Sequence, residues 1–196
     1  MSSFENTLRR CLDACPKRAV DDSALQPAGI MVIVYPKDGE LCLLLNKRSA
    51  HVERHKGEIA FPGGRMDPAD RDLRDTALRE THEEMGIAPA DITVLGELDD
   101  VATSTGFVIS PYVGTIPYPY PWEPSEREVA AVLEIPLAAL YDKRCRRDEV
   151  RLTGGRLVAW PGYAYGGEVI WGATAQVIHR LFEVIESGAA EMGLGR

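Results

Sequence analysis

Residues 57–87 read GEIAFPGGRMDPADRDLRDTALRETHEEMGI, and the second half of that run fixes what can be built around it. From Asp70 to Met85 there is neither Gly nor Pro, and acidic residues gather at the start. Gly86 stands where a left-handed residue stops a helix, so the segment is read as one. At about 100° per residue, Glu80 and Glu84 lie about 40° apart around the axis, with Glu83 about 60° to the other side of Glu80. The adjoining arc carries Ala77, Leu78, Thr81 and Met85, a weakly apolar face suited to packing on a sheet. The three glutamates therefore stand at the border of the buried face. Just upstream, Pro62-Gly63-Gly64 breaks the chain sharply.

Carboxylates this close repel one another, and partial desolvation sharpens the conflict. A hard divalent cation, Mg²⁺ or Mn²⁺, removes it by accepting their oxygens. A solvated acidic helix fits the same spacing, because surface helices are rich in Glu. Spacing alone leaves both readings standing. Other motifs fail: His82-Glu83 lacks the second His of a zinc-protease helix, since Gly86 occupies that place. Asp67, Asp70 and Asp72 lack the spacing and glycine of an EF-hand loop. There is no Walker A sequence and no GxSxG elbow.

Working outward, Gly29–Tyr35 is a continuous apolar run rich in β-branched residues, the pattern of a strand buried on both faces. Lys37-Asp38-Gly39 turns the chain into a second strand, Leu41–Asn46, and Glu58–Phe61 reads as a short strand. Further strands are expected at 91–97, 107–116 and Val129–Leu133, then a helical turn at Pro136–Leu140. Glu149–Thr153 and Arg156–Trp160 flank Gly154-Gly155 as a hairpin. Val177, Ile178, Leu181, Phe182 and Ile185 form one stripe of a helix over 172–187. At the start, Ser2 and Glu5 have capping-box spacing, and Phe4, Leu8 and Leu12 recur at helical intervals before Pro16. The expected class is α/β, a mixed sheet with helices packed on it. It divides into an N-terminal helix and connector (1–28), a main domain (29–187) and a flexible tail (188–196).

The 196 residues carry 30 Asp+Glu against 22 Lys+Arg, a net charge of −8. That argues against nonspecific binding to nucleic acid or an anionic membrane. Residues 67–84, with seven acids against three arginines, hold half of the excess. The basic counterpart is the stretch 47–56, with Lys47, Arg48, Arg54 and Lys56 against one acid, Glu53. Four cysteines, at 11, 15, 42 and 145, form no CxxC pair and fit neither a zinc site nor a secreted framework. Cys42, inside Leu41–Leu45, is read as a buried thiol. No apolar run approaches the ~20 residues of a membrane span, and no signal-peptide core is evident. A cytoplasmic protein is expected. Tyr118, Tyr120 and Trp122 alternate with prolines in a rigid loop from Pro117 to Pro124. They are read as a stiff surface loop or a dimer contact in preference to an adenine stack.

Gly64 followed by Arg79-Glu80-Thr81-His82-Glu83-Glu84-Met85-Gly86-Ile87 resembles the Nudix box, G-x5-E-x7-R-E-U-x-E-E-x-G-U with U apolar. Thr81 stands at an apolar place. Asp70 stands where the pattern has Glu, and the box is one residue longer than the general form. The longer form is similar to the coenzyme A pyrophosphatase branch, whose added signature runs LLTxRS, an Arg, then G-x3-FPGG. Here those segments are Leu44-Leu45-Asn46-Lys47-Arg48-Ser49, Arg54 and Gly57–Gly64, with Asn46 in place of Thr and Arg54 one place late.

The resemblance implies an α/β/α sandwich with a mixed central sheet and a loop-helix carrying the box. It implies Glu80, Glu83, Glu84 and Arg79 as the catalytic set. Glu80 and Glu84, with Glu83 and the Gly64 carbonyl, would bind Mg²⁺ or Mn²⁺, and Arg79 would orient a glutamate. Glu83, Glu126 and Glu128 are candidate bases. Arg48, Arg54 and Arg65 are candidate substrate-binding groups. The implied activity is cleavage of the diphosphate of coenzyme A or its thioesters to 3′,5′-ADP and a 4′-phosphopantetheine product. The alternatives are ADP-ribose, NADH or a (d)NTP as substrate, or a nucleotide-binding regulator without catalysis. The partner is then a small-molecule diphosphate, with neither nucleic acid nor membrane, and a homodimer is compatible with the family.

Overall fold

The computed structural model describes residues 2–51, 55–153 and 155–191. Helix α1 (Ser3–Ala14) begins with both halves of the capping box: Ser2 Oγ accepts from the Glu5 N–H, and Glu5 Oε2 accepts from the Ser2 N–H. Strands β1 (Gln26–Lys37) and β2 (Glu40–Arg48) form an antiparallel hairpin closed by Asp38-Gly39, with Lys37 opposite Glu40. Then follow β3 (Ile59–Ala60), β4 (Gly63–Arg65), helix α2 (Leu73–Met85), β5 (Thr93–Glu97), β6 (Val101–Ala102) and β7 (Phe107–Thr115). The chain continues through β8 (Val129–Pro136), α3 (Leu137–Tyr141) and the hairpin β9 (Glu149–Thr153)–β10 (Arg156–Trp160). A second hairpin, β11 (Tyr163–Tyr165)–β12 (Glu168–Ile170), and helix α4 (Gly172–Glu191) complete it. Among the described residues, no helix is long and apolar enough to cross a membrane.

The central sheet is mixed: β1 runs parallel to β7 and antiparallel to β2 and β4. Strand β1 changes partner along its length. Ala28–Ile30 pair with β4, and Val34–Lys37 pair with β2. Between these stretches the Met31 N–H donates to the Pro62 carbonyl at 2.9 Å. The box loop is thereby held against the middle of the sheet.

Period-two alternation sorts the strands into two cores. Met31, Ile33 and Tyr35 of β1, with Cys42 and Leu44 of β2, pack against Ala77 and Met85 of α2. Val32 and Val34, with Leu43 and Leu45, pack against Leu8, Cys11 and Leu12 of α1 and Val177, Ile178 and Leu181 of α4. Helices thus cover both faces, giving the three-layer α/β/α arrangement. All four cysteines are free thiols, and Cys42 is buried.

Several details differ from the sequence reading. Helix α2 starts at Leu73, not Asp70, because Asp72 is its N-cap and takes the Asp75 N–H at 2.8 Å. The loop 117–124 is not merely a stiff surface loop. Tyr118 stacks on Tyr35 with ring centroids 5.2 Å apart, and Tyr120 and Trp122 pack against the same core, since three large rings gain more from burial than from solvent. Helix α4 runs to Glu191, beyond the expected end at 187, and Gly188 lies where it passes against Cys11 of α1. The sequence does not signal strands β4, β6, β11 and β12; two- and three-residue strands carry too little periodicity to read, and Gly63-Gly64 reads as part of a sharp break.

Candidate active site

Strand alternation and helix rotation converge on one carboxylate. The β2 face that sends Cys42 and Leu44 into the α2-side core next presents Asn46 and Arg48. From the other side, α2 presents Glu84, buried to 3 % exposure at the border of its packing face. Asn46 Nδ2 donates to Glu84 Oε2 at 2.9 Å, and the Gly63 N–H donates to the same oxygen at 3.3 Å. Arg48 Nη1 stands 3.6 Å from Glu84 Oε1. Burial pushes the Glu84 carboxyl up to about 7, opposed by Arg48 and the Gly63 N–H and reinforced by the charges of Glu80 and Glu128. This glutamate is not a solvated surface acid.

Glu80 is half-buried one turn earlier. Burial raises its carboxyl too, and the Arg79 guanidinium pulls the other way. Gly64 of β4 lies against it: a Cβ there would come 2.5 Å from Glu80 Cδ and 2.6 Å from Oε1. Only glycine lets the sheet edge approach the carboxylate so closely. Glu83 is exposed and turns toward Arg79, which donates from Nη1 to Glu83 Oε2 at 3.1 Å and to Glu80 Oε1 at 2.9 Å. The rest of that guanidinium is committed to Asp70, through Nε at 2.9 Å and Nη2 at 3.0 Å, and to the Arg65 carbonyl. Asp70 also accepts from Thr76 Oγ1 at 2.8 Å. The Arg79 guanidinium holds the Asp70 carboxyl well below the usual carboxylate range. One arginine therefore ties the loop before α2 to two of its glutamates.

The Arg65 side chain is exposed and lines an open cleft of about 510 Å³, together with Gln26, Met66, Arg79 and Glu80. The loop before β8 is docked over the end of α2, where the Ser125 N–H donates to the Glu84 carbonyl at 2.9 Å. Ser49 holds the far side of this loop. Its N–H donates to the Glu128 carbonyl at 2.8 Å, and its hydroxyl donates to the Arg127 carbonyl. Glu128 is half-buried and its charge raises the carboxyls of both Glu80 and Glu84, whereas Glu126 is exposed. Arg54 lies outside the described residues. Sequence reasoning missed two partners. In sequence Asn46 is only a departure from a signature, although the period-two pattern of β2 puts it on the α2 face. Asp70 stands where the pattern has Glu, and it is the principal partner of Arg79.

Among the described residues, no three His, Cys, Asp or Glu side chains form a preassembled cation site. The donor chemistry nevertheless suits a hard cation: the carboxylates of Glu80 and Glu84 offer oxygen alone, and Gly64 leaves the first of them uncovered.

A box loop wedged on a mixed sheet, with a glutamate-bearing helix beneath it, defines a class of fold. The NUDIX domain family model matches residues 25–148, and the chain belongs to the Nudix hydrolase family, which acts on nucleoside diphosphate derivatives. Its hydrolases generally use divalent cations such as Mg²⁺ or Mn²⁺. Relatives named uncharacterized Nudix hydrolase NudL, from Salmonella newport (strain SL254) and Salmonella dublin, are 41% identical over 153 residues, 78% of this chain and 78% of theirs. Among solved structures, the Nudix hydrolase RenU from M. smegmatis aligns with a TM-score of 0.57 and 20% identity, over 83% of this chain and 86% of that one. The NUDIX domain of Shewanella oneidensis NrtR, solved with ADP ribose, aligns at 0.56 and 20% identity, over 93% and 98%. These two likenesses establish the fold.

Proposed function

We propose that the chain is a divalent-cation-dependent diphosphatase that hydrolyses coenzyme A or its thioesters to 3′,5′-ADP and a 4′-phosphopantetheine product. The observation that carries this reading is the meeting of two segments at Glu84. Arg48 comes from the stretch similar to the coenzyme A signature, Gly63 comes from its FPGG end, and both face the same box carboxylate.

Each residue then has a task. Glu80 and Glu84 present oxygens to Mg²⁺ or Mn²⁺, with Gly64 and Glu83 beside them. A bound cation would neutralise diphosphate charge and acidify a water. Arg79 holds Glu80 and Glu83 in fixed orientation while Asp70 anchors it from behind. Glu128, clamped through Ser49 and felt by both buried carboxylates, is the better placed candidate base, ahead of exposed Glu126. Hydrolysis adds one water across the diphosphate: its oxygen joins one phosphorus, the bridging P–O bond breaks, and the departing phosphate retains the bridging oxygen. Arg48, Arg54 and Arg65 supply positive charge for the phosphate groups of the substrate, including the 3′-phosphate.

The deciding experiment assays coenzyme A, acetyl-coenzyme A, ADP-ribose, NADH and dNTPs with and without Mg²⁺ or Mn²⁺, in the parent and in Glu84→Gln. Expected are cation-dependent turnover greatest on a coenzyme A substrate and a fall of at least about 10²-fold in Glu84→Gln. Faster turnover of ADP-ribose than of coenzyme A would overturn the substrate assignment. Tight binding with no turnover of any compound would favour a regulator.

A further inference from the structure

We infer that Asn46 is a positioning residue that clamps the Glu84 carboxylate for cation binding, and that it takes no part in choosing the substrate. The inference rests on the proposed role of Glu84 as a cation-binding group.

Asn46 lies on β2 and is 1 % exposed, and the group it meets is 38 residues away in sequence. Its amide orientation is dictated chemically. The NH₂ must face the carboxylate, because the reverse would set a carbonyl oxygen against an anionic one. Two neutral donors, the Asn46 amide and the Gly63 N–H, thus hold Oε2, while among the described residues Oε1 faces only the looser Arg48 contact at 3.6 Å. One carboxylate oxygen is fixed and the other remains available. The remaining oxygen of Asn46, Oδ1, is buried and has no hydrogen-bond partner among the described residues. A buried orphan acceptor carries an uncompensated desolvation penalty, so it marks a site organised around something other than stability alone. Here it sets one more hard oxygen on the side chain that grips Glu84. A threonine, which the similar signature carries at this place, is shorter and brings one hydroxyl in place of an amide. Asn46 makes its hydrogen bond to Glu84 and not to the open cleft beside Arg65. The departure from the signature therefore alters the grip on the carboxylate and leaves the substrate-facing groups as they are.

The test measures Mn²⁺ binding by electron paramagnetic resonance, without substrate, in the full-length parent, Asn46→Leu, Asn46→Thr and Glu84→Gln. Melting temperature and turnover across the diphosphate panel are recorded alongside. Groups that orient metal-binding side chains typically contribute about 10–100-fold in affinity. Asn46→Leu is expected to weaken Mn²⁺ binding by at least about tenfold and Asn46→Thr by less, with the order of substrate preference unchanged in both. If Leu disturbs folding, seen as a collapsed melting transition, the Thr variant carries the comparison. Parent-like Mn²⁺ affinity in the folded Asn46 variants, with affinity lost in Glu84→Gln, overturns the inference and leaves the proposed function intact. A reordering of substrates by Asn46→Thr also overturns it. Parent-like affinity in Glu84→Gln removes the reading beneath it.

Discussion

At the scale of single residues, the site depends on what small or neutral groups allow charged ones to do. Gly64 is the clearest case. Gly64→Ala forces a methyl to within 2.5 Å of Glu80 Cδ, so the carboxylate must move. A displacement of about 1 Å in a reacting constellation costs about 10²-fold. The variant is expected to lose about that factor in kcat/KM on its best diphosphate while keeping its circular dichroism spectrum. Retention of more than half the parent rate would show that Glu80 need not stand where it does. In sequence Gly64 reads as part of a sharp turn; the structure places it in β4, and the space beside it is filled by the side chain of residue 80.

At the scale of elements, α2 is set by its two ends. Asp72 caps the start, Gly86 adopts the left-handed conformation at the stop with φ 70°, and Arg79 ties the helix to Asp70 in the preceding turn. Asp70 has its carboxyl pKa lowered on folding, first by the hydrogen bonds from Arg79. A lowered folded-state value means that the pair stabilises above the unfolded carboxylate pKa of about 3.9 and loses that contribution as pH falls through the folded value. Asp70→Asn is therefore expected to melt below the parent at pH 6–7, with the gap narrowing once the pH drops below about 3. Thermal melts across that range check it, and a gap that widens in acid would refute the pairing. The helix and its stop were legible from composition. Its start was placed three residues early, because Asp70 and Asp72 are equally good caps by type and only the fold gives one of them to Arg79.

At the scale of the whole molecule, the protein is a sheet covered on both faces, and the two covers do different work. Helix α2 carries the proposed site, while α1 and α4 close the opposite core and meet where Gly188 passes Cys11. A Cβ at 188 would lie 2.5 Å from the Cys11 Cα, so Gly188→Leu overpacks that crossing. Overpacking of this kind costs roughly 1–3 kcal/mol. Urea unfolding should show that loss, with KM for the diphosphate substrate unchanged because the site lies across the sheet. A shifted KM with unchanged stability would mean that the two faces are coupled.

In the longer elements, the chain's own periodicities were enough to specify the direction of the side chains about their axis. They gave the double-sided burial of β1, the hairpin to β2, the border position of the three glutamates and the stripe on α4. These depend on neighbours a few residues away, and local geometry sets them. Tertiary structure alone decided which glutamate lost its water. Glu80, Glu83 and Glu84 look alike in sequence, yet one is half-buried, one exposed and one almost wholly enclosed. The difference comes from groups distant along the chain: Asn46 and Arg48 from β2, Gly63 from β4, and the loop docked by Ser125. Desolvation and hydrogen bonding depend on everything that surrounds a carboxylate in space, and no window of sequence contains all of it.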